Sequence, residues 1–370
     1  MIGKARKIII FTMILMMSLS GCNARQAEKV PGQDKVLPEQ GKTLPDNDWA
    51  EGKPDEYGVD GKILDQADVY IKDNYPNIYS LVVIKDGVLV YEKYYKDKGR
   101  DDHVHVFSVT KSVISSLVGI ALREKYLSGL DQKLADFYPE YYADIKEAEK
   151  KEISLKNALT MTAGFEPADK DIVKWITSED WFAYTLNEPM IGSPGKEFNY
   201  DTGLSHLLSG VLTKATKMST LDFAKKFLFE PMGIKNLRWG TDNKGYYGGG
   251  HLLELTPRDM AKFGYLYLKE GNWKGSQLVP ADWVKESTST QISFDENSGY
   301  GYLWWLNEKE DAKSKKKLSI YSAVGHGGQR IDVVPELDMV AVITADDRVA
   351  AKNNLDTGEI LGRFIIPAVK

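Results

Sequence analysis

The stretch FSVTKSVISSLVGIALR, residues 107–123, decides the fold. Its apolar residues cover most of a helical circumference, which predicts a buried helix over 107–123 with polar residues concentrated at its start. Ser108 and Lys111 have the spacing S-x-x-K there, which places a hydroxyl and an amine on one helical face. A serine hydroxyl needs an adjacent base to act as a nucleophile, and a desolvated lysine can be that base.

The same spacing recurs at Ser193 and at Ser314, so the motif alone is weak. The repeat at Ser193 spans a Pro-Gly turn, which cannot hold the pair on one helical face. The repeat at Ser314 lies in a lysine-rich run, where solvent keeps the amines charged. For Ser108 and Lys111, the alternative is a helix cap and a lysine that reaches to the surface.

Two further motifs follow in the chain. PGKEFNYDT, residues 194–202, contains Tyr200 and Thr202 and leads into a predicted amphipathic helix. AVGHGG, residues 323–328, contains Gly325, His326, Gly327 and Gly328 and precedes a predicted hairpin. Glycines at such a strand edge allow close approach of a substrate.

In this order the three motifs resemble those of the serine β-lactamase and penicillin-binding-protein superfamily. The chain is similar to its class C related branch, which includes family VIII esterases, D-aminopeptidases and 6-aminohexanoate-dimer hydrolase, from about residue 56 onward. The resemblance implies an α/β (α+β) fold of the β-lactamase/transpeptidase type. An antiparallel sheet is built from both chain ends and flanked by helices, with a mostly helical insertion at about 125–255.

The resemblance also implies roles for the motif residues. Ser108 is the expected nucleophile of an acyl-enzyme, and Lys111 and Tyr200 share the work of general base. Thr202 stands where the family has Asn or Ser, and its hydroxyl can bond to Lys111 or to the substrate. No cofactor is expected.

The third motif departs from the family, which usually carries Lys-Thr-Gly, and two registers stay open. Either His326-Gly327-Gly328 replaces the triplet and the His326 ring lies beside the nucleophile, or Gly325 closes the triplet. In the second register the backbone N–H groups of His326 and Ser108 form the oxyanion hole. The missing lysine favours neutral esters or amides over β-lactams as substrates.

Turn signals predict a hairpin at each end of the body. Asp86-Gly87 joins two β-rich runs and suits a type I′ turn. Near the C-terminus, residues 335–338 separate two further strands. Two aromatic groups are candidates either for pocket lining or for plain core: Trp175, Trp181, Phe182, Tyr184, Trp304 and Trp305.

The first segment predicts export. Basic residues precede a short apolar run, and the tetrapeptide ending at Cys22 resembles the lipobox of bacterial lipoproteins. We expect a signal peptide at 1–21, a lipid on Cys22, a flexible tether at 22–53 and a hydrolase body at 54–370. The protein is then anchored by lipid on the extracytoplasmic face of the cell membrane.

Composition excludes several classes of function. The formal net charge of −5 argues against nucleic acid as a partner, and the single cysteine excludes a thiolate metal cage. No metal site is expected. The prediction is a serine hydrolase acting on a small ester or amide or on a cell-wall-derived substrate. The alternatives are a D,D-peptidase or D-alanyl esterase acting on cell-wall polymers, or a penicillin-binding-like sensor with little turnover.

Overall fold

The computed structural model describes residues 48–349 and 356–370. Its strands are β1 (Ile78–Lys85), β2 (Val88–Tyr94), β3 (Val104–His105), β4 (Arg238–Trp239), β5 (Leu253–Leu255), β6 (Asn272–Trp273), β7 (Ser276–Gln277), β8 (Ile292–Ser293), β9 (Ser298–Tyr300), β10 (Trp305–Glu310), β11 (Lys317–Gly325), β12 (Gln329–Val334) and β13 (Met339–Ala345). Its α-helices are α1 (Gly61–Asn74), α2 (Val109–Arg123), α3 (Leu134–Phe137), α4 (Pro139–Tyr142), α5 (Ala148–Lys151), α6 (Leu155–Leu159), α7 (Ile172–Thr177), α8 (Trp181–Asn187), α9 (Thr202–Thr216), α10 (Thr220–Ala224), α11 (Pro257–Leu268), α12 (Ala281–Ser287), α13 (Gly358–Ile360) and α14 (Ile366–Ala368). Short π-helical segments follow α10 at Lys225–Phe229 and α13 at Leu361–Ile365.

An eight-stranded antiparallel sheet organises the body, in the order β2-β1-β13-β12-β11-β10-β9-β8. Strands from the two ends of the body are neighbours in it, since Leu81 of β1 pairs with Ile343 of β13, next to the edge strand β2. Helices α3 to α10 lie along the chain between β3 and β4 and form the mostly helical insertion. The predicted sheet built from both chain ends is therefore confirmed.

The sheet separates two hydrophobic cores. Val82 and Ile84 of β1 belong to the core that also holds α2, α9 and α11, whereas Leu81 and Val83 belong to the core beneath α1 and the C-terminal helices. This alternation is the period of two expected when both faces of a strand are covered. The larger core surrounds α2, whose residues from Val109 to Ala121 are all buried.

Both predicted hairpins are present. Asp86 and Gly87 have φ angles of 51° and 76°, the two left-handed positions that a type I′ turn requires. In the second hairpin Pro335–Leu337 forms a 3-10 turn and Asp338 has φ 43° before β13 begins. An Asp or Asn tolerates this conformation better than most residues that carry a Cβ.

Helix α2 begins two residues later than predicted, at Val109. Phe107 has φ 48°, a left-handed conformation that a helix cannot contain, and Ser108 is the residue that caps the helix. Ser108 therefore lies in a sharp turn at the N-terminal end of α2 rather than within the helix.

Residues 48–53, which the sequence assigned to the tether, pack on the body. Trp49 is 4% exposed and its Nε1 donates to Arg258 O at 3.2 Å. Glu51 bridges to Leu89 in parallel fashion alongside β2. The large apolar area of Trp49 explains why this stretch joins the folded unit despite its polar neighbours.

The predicted signal peptide, Cys22 and the rest of the tether lie outside the described residues. Within 48–349 and 356–370, no helix combines the length and the apolarity needed to cross a bilayer.

Candidate active site

Ser108 and Lys111 face each other at the start of α2. The Lys111 Nζ lies 2.9 Å from Ser108 Oγ, as the three-residue spacing at the start of the helix predicts. Lys111 is 1% exposed, so its amine lies in a site that holds little water. The helix N-terminus also favours negative charge that develops near Ser108.

The other two partners of Lys111 fix the orientation of its amine. Nζ donates to Thr202 Oγ1 at 3.1 Å and to the carbonyl oxygen of Gly250 at 3.0 Å. A carbonyl oxygen can only accept, so one N–H must point at Gly250. Thr202 accepts the second N–H, so the remaining position on the amine faces Ser108 Oγ.

Asp169 decides which way the Thr202 hydroxyl points. The Thr202 hydroxyl donates to Asp169 Oδ1 at 2.8 Å, and the Thr202 backbone N–H donates to the other carboxylate oxygen. Because a carboxylate only accepts, the proton of the Thr202 hydroxyl is directed away from Lys111. Hydrogen bonds thus connect Asp169 through Thr202 and Lys111 to Ser108.

Asp169 and Gly250 were not singled out from the sequence. Asp169 lies 33 positions before Thr202, and Gly250 lies 139 positions after Lys111. Neither belongs to a motif, and no periodicity joins them to one. The run Gly248-Gly249-Gly250 was the available signal, since glycines allow close approach of the backbone. A Cβ on Gly250 would lie 2.4 Å from Thr202 Cγ2.

Tyr200 lies at the same site. The Lys111 Nζ is 4.8 Å from the centroid of its half-buried ring. The ring stacks on Trp305, with centroids 5.8 Å apart and planes 24° apart. Of the aromatic residues proposed for pocket lining, Trp305 is half-buried beside Tyr200, whereas Trp175 and Trp304 are fully buried core residues.

Asp201 is buried between Tyr200 and Thr202 and caps helix α9. Its Oδ1 accepts N–H groups of Gly203 at 2.8 Å and Ala168 at 3.2 Å. Burial, reinforced by the negative charge of Asp169, raises the pKa of Asp201 to about 7. The nucleophile region therefore contains a carboxyl group that holds its proton up to neutral pH.

The third motif lies at the end of β11. A Cβ on Gly325 would come within 2.3 Å of the carbonyl oxygen of Val106 and 3.2 Å of Phe107 Cβ. Glycine is therefore required where β11 passes the turn that carries Ser108. His326 is exposed, and its ring meets the edge of Phe107 at a centroid distance of 5.5 Å. Gly327 and Gly328 follow with φ angles of 79° and 104°.

His251 follows Gly250 and is the histidine nearest in sequence to the contacts of Lys111. Burial, with a smaller contribution from the charge of Lys111, lowers the pKa of His251 to about 3, so its ring stays neutral. Among the described residues, no group of three or more His, Cys, Asp or Glu side chains could hold a metal ion.

Comparisons with known proteins agree with this architecture. The beta-lactamase family profile matches residues 78–360. A 6-aminohexanoate-dimer hydrolase of Paenarthrobacter ureafaciens is 19% identical over 286 residues, which cover 71% of each chain. A solved structure from Bacillus anthracis, provisionally assigned as a 6-aminohexanoate-dimer hydrolase, superposes with a TM-score of 0.71 at 18% identity, covering 88% of this chain and 87% of that one.

A D-stereospecific amidohydrolase from Streptomyces shares the fold as well, with a TM-score of 0.65 at 16% identity. The superposition covers 82% of this chain and 98% of the amidohydrolase. At such identities the solved structures establish the fold alone. The family match spans most of the chain, and the chain therefore belongs to the beta-lactamase family and is a serine hydrolase of that family.

Proposed function

We propose that the protein hydrolyses an ester or amide bond through an acyl-enzyme on Ser108. The observation that carries the proposal is the 2.9 Å contact between Ser108 Oγ and Lys111 Nζ. The Thr202 and Gly250 contacts strengthen it, because they leave the Lys111 lone pair for the Ser108 hydroxyl. A lysine held in this way can take the serine proton as the oxygen attacks.

In the acylation step, Ser108 Oγ forms a bond to the carbonyl carbon of the substrate and its proton passes to Lys111. The bond to the leaving alcohol or amine then breaks, Tyr200 gives its phenol proton to that group, and Lys111 returns to Tyr200 the proton it took from Ser108. Water repeats the sequence on the acyl-enzyme: it gives its proton to the same bases and releases the acid. Ser108 regains its hydroxyl proton, so the cycle consumes one water molecule for each bond broken.

The contacts of Gly325 support the register in which this glycine closes the third motif. Gly325 lies against the turn that carries Ser108. The next backbone N–H in the chain is that of His326. The exposed His326 ring packs on Phe107. In this proposal the N–H groups of Ser108 and His326 bind the oxyanion. His326→Ala then keeps most of the activity, whereas in the other register it loses most of it.

The test of the reaction uses a fluorophosphonate probe and a chromogenic short-chain ester. We expect Ser108→Ala to abolish both labelling and turnover. Ser314→Ala is the matched control, because it removes the serine of another S-x-x-K sequence that is far from Lys111 in the chain. Labelling of Ser108→Ala at the rate of the unaltered protein would refute the proposal.

Substrate class is tested with a panel of short acyl esters, D-alanyl peptides, linear amide oligomers and a chromogenic cephalosporin. The third motif has no lysine to meet a substrate carboxylate, which favours neutral esters and amides. Release of D-alanine from isolated cell walls would instead indicate a D,D-peptidase or D-alanyl esterase. A stable adduct without turnover would indicate a penicillin-binding-like sensor.

We place the protein on the extracytoplasmic face of the membrane, held by a lipid on Cys22. The support is the sequence pattern alone: a basic start, a short apolar run and Leu19-Ser20-Gly21-Cys22. Cys22→Ala should move the protein out of the membrane fraction and abolish incorporation of labelled palmitate. Unchanged membrane association of that variant would contradict the lipid anchor.

A further inference from the structure

A pair of titratable side chains is buried close to the site and has no part in the proposed reaction. His206 of α9 lies 2.9 Å from Asp242, and the two side chains are 0% and 1% exposed. The rings of Trp175, Trp181 and Phe182 surround His206. Removing a histidine and a carboxylate from water is costly, and apolar residues would fill the same space without that cost.

The protons of this pair can be assigned. Burial would raise the pKa of Asp242, but the hydrogen bonds from His206 and from backbone N–H groups lower it overall. Burial lowers the pKa of His206, although the charges of Asp242 and Asp180 act to raise it. His251 is the other titratable group beside the ring. His206 is therefore a neutral ring whose Nε2–H donates to the Asp242 carboxylate.

The remaining ring nitrogen connects the pair to the site. In this tautomer Nδ1 carries a lone pair, and it accepts the backbone N–H of Gly249 at 3.4 Å. A Cβ on Gly249 would lie 2.0 Å from Ser205 O, so the glycine backbone is packed directly on α9. The next residue, Gly250, supplies the carbonyl oxygen that binds Lys111.

We propose that His206 is a positioning residue for Lys111. Asp242 fixes the tautomer of His206, His206 holds the backbone of Gly249, and Gly249 in turn holds the Gly250 carbonyl that binds Lys111. This inference rests on the proposed function of Ser108 and Lys111. Helix α9 bears both supports of the lysine: Thr202 contacts Lys111 directly, and His206, four residues further on the same face, contacts it through the glycine backbone.

Asp242→Asn tests the tautomer with little change in shape. The Oδ1 of Asp242 accepts the backbone N–H groups of Lys244 and Tyr246, each at 2.9 Å. In the variant the amide oxygen must keep this place, so the NH2 group faces His206 Nε2 and donates to it. The ring proton then moves to Nδ1 and opposes the N–H of Gly249, where two donors cannot bond.

The measured quantity is the rate constant of fluorophosphonate labelling, which reports the reactivity of Ser108 without knowledge of the substrate. We expect Asp242→Asn to lower it on the order of tenfold or more, because a displacement of about 1 Å in a catalytic group can cost a factor of about 100. Spectra of 15N-histidine-labelled protein should show the His206 proton moving from Nε2 to Nδ1.

Ser209→Ala is the matched control. Ser209 is buried on the same helix and donates to Tyr247 O at 2.7 Å, so it ties the same loop to α9 without touching Gly249. We expect a lower melting temperature for this variant and an unchanged labelling rate. An equal loss of labelling in Ser209→Ala and Asp242→Asn would overturn the inference, since it would reflect loosening of the loop alone.

Two substitutions at His206 give a second test if Asp242→Asn folds poorly. His206→Asn can offer an oxygen near the former Nδ1 and still accept from Gly249, whereas His206→Gln can only reach Asp242. We expect His206→Asn to be labelled faster than His206→Gln. Faster labelling in the Gln variant, or unchanged labelling in Asp242→Asn after its tautomer has switched, would refute the inference. Labelling of Ser108→Ala would instead refute the proposed function.

Discussion

Asp201 should make the stability of the protein depend on pH in a direction opposite to that of most carboxylates. Its carboxyl group is 1% exposed, and its Oδ2 has no hydrogen-bond partner among the described residues. The pKa rises from 3.8 to about 7 because of burial first and Asp169 second. In the unfolded chain the same group titrates near pH 4.

The sign and size of the effect follow from these two values. Between about pH 4 and about pH 7 the unfolded chain releases the Asp201 proton while the folded chain keeps it, so the free energy of unfolding falls as pH rises. Three pH units at about 1.36 kcal/mol each give about 4 kcal/mol. The free energy of unfolding is therefore lower by about 4 kcal/mol above pH 7 than below pH 4 on account of Asp201. Below about pH 4 both states are protonated and the effect is absent.

Asp201→Asn resembles the protonated group and keeps an oxygen that caps α9. The variant should therefore exceed the unaltered protein in free energy of unfolding by up to about 4 kcal/mol above pH 7, with the difference vanishing toward pH 4. Urea unfolding followed by tryptophan fluorescence measures both proteins across this range.

The matched control is Ser219→Ala. It removes the cap of α10 at a residue that does not titrate, so it should cost about 1 kcal/mol at every pH. Parallel stability curves for Asp201→Asn and the unaltered protein from about pH 4 to about pH 9 would refute the reasoning, because they would mean that Asp201 ionises alike in both states.

Three further substitutions test the packing around the site and the body. Gly325→Ala should slow fluorophosphonate labelling at least about tenfold, because its Cβ would lie 2.3 Å from Val106 O and displace the Ser108 turn. Gly119→Ala should lower the free energy of urea unfolding by about 1–3 kcal/mol, because the new Cβ would lie 2.3 Å from the Trp283 indole; no change would show that Trp283 moves aside freely. Arg258→Met should cost about 1–3 kcal/mol in the same assay, since this 5% exposed guanidinium pairs with Glu92, 23% exposed, and with two carboxylates that solvent reaches; an unchanged stability would contradict that expectation.

Local patterns in the sequence predicted much of this structure. The pairing of Ser108 with Lys111 depends on helical spacing, and the turn at Asp86-Gly87 depends on residues that tolerate positive φ angles. The start of α2 was misplaced because the left-handed conformation of Phe107 has no signature in residue type. A bulky aromatic residue in that conformation is held by tertiary contacts rather than by local preference.

The rest of the site is assembled by contacts between distant segments. Asp169, Gly250 and Trp305 reach Lys111 or its neighbours only through the packing of α9, the glycine loop and β10. His206 is different, because a polar residue four positions after Thr202 in a largely apolar helix already indicates a polar face. That face could have been found from periodicity, but its partner Asp242 could not.

Residues 48–53 have a consequence for solubility. Strand β2 is one edge of the large sheet, and its Leu89 exchanges backbone hydrogen bonds with Ala50 and Gly52, at 2.9 Å and 3.1 Å. The opposite edge, β8, is only two residues long. An uncovered edge strand recruits strands of other molecules, whereas covered or short edges do not. A chain that began at residue 54 would leave the backbone N–H and carbonyl of Leu89 unpaired at the edge of β2 and would uncover the apolar surface beneath Trp49, and we expect it to self-associate through that edge.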